Sequence, residues 1–123
     1  METLTNFEID EIESELGFEL PGLYRKLLAE IGHGEYGDIE IYHPRAIHKL
    51  YEFHFEVPSD LFRVYFPFGC NNRTQEIWLI DPTKEVASTI WHETHPESYP
   101  DEIWLPYEQW ILEHDNELPG TDT

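Results

Sequence analysis

Positive charge is scarce in this sequence. Lys and Arg number seven against 26 Asp and Glu, which leaves a formal charge of −19 over 123 residues. No Lys or Arg follows Lys84, so the C-terminal third is the most acidic part. A field of that sign repels nucleic-acid phosphates and anionic membrane surfaces, which argues against both as partners. It speeds encounter with a basic protein. Cysteine is almost absent. Cys70 alone cannot form an intramolecular disulfide, and such usage fits a reducing, cytoplasmic setting. Apolar runs of membrane-spanning length are missing. Residues 1–13 also lack the basic and apolar regions of a secretory leader.

Aromatic residues, by contrast, are plentiful at 15%, within a hydrophobic share of 40%. That composition belongs to a folded chain rather than a disordered one, and the length suits one domain with a modest core. Thr5 and Glu8 have capping-box spacing. Ile9, Ile12 and Leu16 follow at helical intervals as far as Gly17. Pro21 suits the first turn of a second helix, with Leu23, Leu27, Leu28 and Ile31 as its buried stripe and Gly32 as its stop. Ile39 and Ile41 alternate with Glu40 and Tyr42, which predicts a strand. Pro44 to Tyr51 is expected to form a short helix. Val64 to Phe68, Glu76 to Asp81 and Val86 to His92 are expected strands, and Pro67 demands an edge, a strand end or a bulge. His95 to Pro100 is expected as loop. A last helix starts near Pro106, anchored by Trp110 and Ile111, and a frayed tail begins at Asn116. Hairpin-length connections make the sheet antiparallel. The expected fold is α+β, with the N-terminal helix pair on one face of the sheet and a C-terminal helix.

Three pieces of the chain resemble a known family. They are Leu20-Pro21-x-x-Tyr24-x-x-Leu27-Leu28, then Gly32-x-Gly34, then Phe66-Pro67-Phe68-Gly69. In their order and spacing they resemble the SUKH superfamily, the Smi/Knr-type domain of many bacterial immunity proteins and of a fungal cell-wall regulator. The resemblance spans roughly Ile9 to Leu112. It implies a non-catalytic binding module that sits on a cognate toxin, often a nuclease, and blocks it. A regulatory or scaffold domain without a toxin is the alternative. After Phe68-Gly69, members often carry a glycine-containing turn. Here the turn is Cys70-Asn71-Asn72-Arg73-Thr74, without glycine.

Other motifs carry less chemistry. Gly32 to Gly37 is a literal G-x-G-x-x-G, but it follows a helix and precedes a strand. A dinucleotide site needs the reverse order, and Glu35 and Asp38 would repel phosphate. His92-Glu93-Thr94-His95 lacks the spacing that places two histidines on one helix face around zinc. Glu93, Glu97, Asp101 and Glu102 offer no distinguishable acid–base pair. Cys70 has neither a partnering histidine nor an electropositive setting. No catalytic residue, metal ligand or cofactor is therefore expected. Trp78, Trp91, Trp104 and Trp110 are expected in the core. The expected partner-binding residues are Glu35, Tyr36, Asp38, Glu40, Tyr42 and Glu93, exposed aromatics within an acidic ring facing a basic protein. Nothing in the sequence chooses between monomer and oligomer.

Overall fold

The computed structural model describes residues 1–46 and 65–118. Helix α1 (Asn6–Leu16) begins with the capping box. The Glu8 N–H donates to Thr5 Oγ1 and the Thr5 N–H donates to Glu8 Oε1, each at 3.1 Å. Two of the helix's orphan donors are thus satisfied reciprocally. Helix α2 (Gly22–Glu30) follows, and its residues Leu23, Tyr24, Leu27 and Leu28 are buried. Arg25 of α2 pairs with Asp10 and Glu13 of α1, which locks the two helices side by side.

Among the described residues six strands follow in chain order, each antiparallel to the last: β1 (Gly34–Tyr36), β2 (Ile39–Ile41), β3 (Phe66–Asn71), β4 (Glu76–Asp81), β5 (Val86–Trp91) and β6 (Leu105–Pro106). Helix α3 (Tyr107–Glu113) closes the order. The fold is α+β, with two helices before the sheet and one after it. Pairing register and side-chain alternation assign the faces. Ile39, Ile41, Trp78, Ile80 and Ala87 lie on the helix side, in one core with Ile9, Ile12, Leu27 and Leu28. Phe68, Trp78 and Trp110 meet there at centroid distances of 4.8–5.9 Å. On the opposite face, Ile77, Leu79 and Ile90 pack with Tyr99, Tyr65 and Trp104.

The Phe66-Pro67-Phe68-Gly69 piece has a structural explanation. The β3–β4 register shifts between Pro67 and Gly69 with Phe68 as the unpaired extra residue, so the proline stands at a bulge in an interior strand. A bulge is the one interior position where a missing donor is tolerated. At Gly69 a Cβ would stand 2.6 Å from the Glu40 carbonyl oxygen and 3.2 Å from the Trp78 ring, so only glycine lets β2 and Trp78 approach. At Gly32, φ is +107° and a Cβ would meet the Glu2 backbone at 2.5 Å. That glycine lets the N-terminal arm lie against the end of α2, where Glu2 and His33 form an antiparallel bridge.

Several expectations are corrected. β3 runs to Asn71, so Cys70 lies within a strand rather than at its end. Only Pro44–Ala46 of the expected short helix is described, as one 3₁₀ turn, and the remainder lies outside the described residues. Pro96–Asp101 is a 3₁₀ helix rather than loop, started by His95, and it carries buried Tyr99 to the second face. Trp91 is 52% exposed and Trp104 half-buried, whereas Trp78 and Trp110 are core. The tail is not frayed at its start. Leu118 is buried, and Glu117 accepts from the Asn71 amide at 3.2 Å and contacts His114 Nδ1 at 3.1 Å.

Candidate partner-binding surface

The antiparallel order brings three chain reversals to one end of the sheet: Gly37–Asp38 between β1 and β2, residues 72–75 between β3 and β4, and the turn after Trp91. Backbone bonds tie them together. The Asn72 N–H donates to the Asp38 carbonyl at 2.8 Å, and the His92 N–H donates to the Gln75 carbonyl at 3.0 Å. Asp38 and Glu93, distant in sequence, therefore lie at the same end of the sheet, on turns that flank residues 72–75. Arg73 places its guanidinium 3.3 Å from the Asp38 carboxylate, a pair largely open to solvent. That cation tempers Asp38, and nothing in the local sequence around Asp38 signals it.

The first hairpin turn is Gly37-Asp38, flanked by the paired residues Tyr36 and Ile39. Gly37 has φ +61° while Asp38 does not adopt a positive φ. Positive φ at the first central position only is the primed turn that matches strand twist, and it requires glycine there. Glu35 stands directly opposite Glu40, so alternation puts both carboxylates on one face. The Glu40 carboxyl is held above its ordinary value of 4.5, first by burial and then by the charge of Glu35. Tyr36 is 47% exposed. Its register with Ile39 sets it on the other side of the hairpin from Glu35 and Glu40. The acids and this aromatic flank the edge strand rather than forming a ring on one face.

Tyr42 departs from the expected exposure. It is 2% exposed, its carbonyl accepts from the Tyr24 hydroxyl, and burial beside Cys70 and Glu40 raises its phenol well above the usual value. Its ring is part of the packing, so the surface set reduces to Glu35, Tyr36, Asp38, Glu40 and Glu93. Cys70 is 6% exposed and sits on β3 directly opposite Glu40 of β2. Burial pushes its thiol up, the Tyr42 hydroxyl opposes that, and Glu40 and Glu35 add to it. A thiol kept protonated by low polarity and nearby carboxylates is a poor nucleophile. A shallow cavity of about 370 Å³ runs beside it, lined by Asn72, Gln75, Glu76, Ile77 and His92 among others.

The histidines fall in two places. His33 and His43, scattered in sequence, meet edge to face at 4.6 Å. Burial, His33 and Arg45 together lower the His43 imidazole, with Glu2 opposing them. His92 lies near Glu93 at 3.8 Å, and His95 instead caps the 3₁₀ helix. Among the described residues, no three His, Cys, Asp or Glu side chains converge in a metal-holding group. No helix among them is long and apolar enough to cross a membrane. The Gly32–Gly37 stretch leads from a helix into β1, so its glycines open no helix towards a phosphate.

No curated protein matches the chain. The SMI1 / KNR4 family (SUKH-1) matches residues 3–113. That span takes in both N-terminal helices, all six strands and the whole of α3, and the chain therefore belongs to the SMI1 / KNR4 family (SUKH-1).

Proposed function

We propose that this chain is a cytoplasmic, non-catalytic binding module that captures a basic protein, as an immunity protein neutralising a cognate toxin. The observation that carries the proposal is the gathering of Glu35, Asp38 and Glu40 on the β1–β2 hairpin of a chain with net charge −19, with Glu93 at the same end of the sheet. Membership in the SUKH-1 family is compatible with it. A nuclease toxin must carry positive charge to hold its substrate, and an acidic inhibitor can use that same surface. Tyr36 supplies a half-exposed aromatic of the kind that anchors interfaces.

Charge and anchor divide the work differently. Asp38→Lys should mainly slow association, because rim charges act through steering. Tyr36→Ala should mainly speed dissociation, at a cost of about 2 kcal/mol or more if the ring fills a pocket of the partner. The test is co-expression with a toxin encoded beside this chain, with folding of each variant checked by circular dichroism. Protection by the natural sequence, lost in the hairpin variants, supports the proposal. Equal protection by all variants moves the binding face elsewhere. Absence of any protection favours a regulatory or scaffold role.

A further inference from the structure

β1 is the outer strand of the sheet. In its pairing with β2, Tyr36 faces Ile39 across a two-residue turn. That pair, and Gly34 with Ile41, therefore exchange the backbone hydrogen bonds of the hairpin. The intervening Glu35 turns its N–H and C=O away from β2. His33 shares that direction, and both its backbone groups are taken by Glu2, at 2.9 Å each. The outer edge of β1 thus already accepts an antiparallel backbone for one residue. At Glu35, the next outward-facing position, no backbone partner is present among the described residues.

Side chains on either side of this edge set a pattern. A residue added opposite Glu35 would share a face with the Glu35 and Glu40 carboxylates, as paired positions do. Its neighbour opposite Tyr36 would point to the other face, where that half-exposed ring stands. The place opposite Gly34 is taken by Met1 of the N-terminal arm, so the added segment ends at Glu35. The pair of like charges already costs free energy in the isolated protein, and a cation beside Glu35 on the same face offsets that cost. A second copy of this chain is a poor occupant, because antiparallel pairing of two β1 edges sets Glu35 against Glu35 between bodies of charge −19. The opposite edge is no rival: β6 is two residues long and includes Pro106, which has no N–H to give.

We propose that the outer edge of β1 is a strand-addition site, where an extended basic segment of the protein partner continues the sheet antiparallel to β1 with a Lys or Arg opposite Glu35. This rests on the proposed capture of a basic partner and specifies how that partner docks. Main-chain bonds at Glu35 give the register, the two carboxylates select the cation, and the Tyr36 side favours an apolar or planar neighbour.

The test uses the whole chain, ¹⁵N-labelled, with three synthetic peptides of equal charge. Each is an eight-residue alternation of valine and lysine that ends on lysine, so that its last residue can face Glu35 beside Met1. One is unmodified, one is N-methylated at its lysines, and one is N-methylated at its valines. Lysines that face Glu35 must exchange backbone bonds with it, so methylating their amides blocks docking, while methyls on the valines lie on the far edge of the new strand. The lysine-methylated peptide should bind roughly tenfold more weakly than the other two. Hydrogen exchange at the Glu35 amide should slow by a similar factor with the unmodified peptide. Equal binding of all three peptides, with the Glu35 amide unprotected, overturns strand addition and leaves the capture of basic partners standing. Failure of all three to bind at low salt overturns both.

Discussion

Two carboxylates show how single residues here trade stability for charge. Glu85, in the turn between β4 and β5, takes a left-handed backbone conformation at φ +54°. There it reaches the start of α2, accepting from the Gly22 N–H at 3.1 Å and the Leu23 N–H at 2.8 Å. Pro21 has no side-chain cap to offer, so this long-range carboxylate does the work of an N-cap. Glu85→Ala should cost about 1–2 kcal/mol, as loss of a helix cap does. Glu85→Gly should cost less, because glycine relieves a backbone strain of about 1 kcal/mol. Denaturant melts should rank the natural chain above the glycine variant and that above the alanine variant. An alanine variant as stable as the natural chain would show the cap to be idle. Glu40 acts in the opposite sense. Folding raises its carboxyl above 4.5, so the folded state keeps that proton to a higher pH than the unfolded state does. Stability is then greatest while both states are protonated, falls as pH rises through the raised value, and stays reduced at neutrality. Glu40→Gln should gain about 0.2–1 kcal/mol near neutral pH, the scale of a like-charge pair across strands. Urea melts near neutrality and again at about pH 4 should show that gain shrinking as the pH falls below 4.5. A gain of constant size would mean that shape, not charge, sets it.

At the scale of elements, local chemistry was legible and distant chemistry was not. The α1 capping box, the α2 stripe, the limits of β4 and the bulge at Pro67 all follow from residues close in sequence. The glycine-free turns hid their mechanism. Asn71 Oδ1 accepts from the N–H groups of Arg73 and Thr74, and Asp81 Oδ1 accepts in the same way from Thr83 and Lys84. Gln75 and Glu85 then supply the positive φ where glycine would be usual. An Asn or Asp four residues before the left-handed position is the signal that could have been used. Tyr42 was misplaced because period-two alternation was carried one residue past β2, which ends at Ile41. Beyond that end Tyr42 joins the same core as α1 and α2. Glu117 was lost to a composition rule for termini, which cannot foresee its contacts with Asn71 and His114. The surface set was only half legible for a similar reason. The acids of the hairpin lie close together in sequence, whereas the place of Glu93, at the same end of the sheet but beyond the β3–β4 turn, depends on the pairing of β3, β4 and β5.

For the whole molecule, the balance between attraction and repulsion is set by how few cations there are. Arg25, Arg45 and Arg73 each hold acids nearby. Except for the part-buried Arg25–Glu13 pair they are largely exposed, and exposed pairs contribute about 0–1 kcal/mol each. Against them stands a surplus of 19 negative charges, whose mutual repulsion is spread over the entire surface and destabilises the compact state. Salt screens both kinds of interaction. Raising ionic strength from about 0.01 M to about 0.15 M shortens the screening length from about 30 Å to about 8 Å. Ion pairs at contact distance survive that change better than repulsion across the molecule does. Sodium chloride over this range should therefore raise the thermal midpoint, and the same addition should slow association with any basic partner. Stability and capture then move in opposite directions with one variable, which a melting curve and a stopped-flow trace in matched buffers can follow. A midpoint that falls with salt would mean that the few arginine pairs outweigh the field of the whole chain. An association rate indifferent to salt would mean that the acidic surface does not guide the partner in.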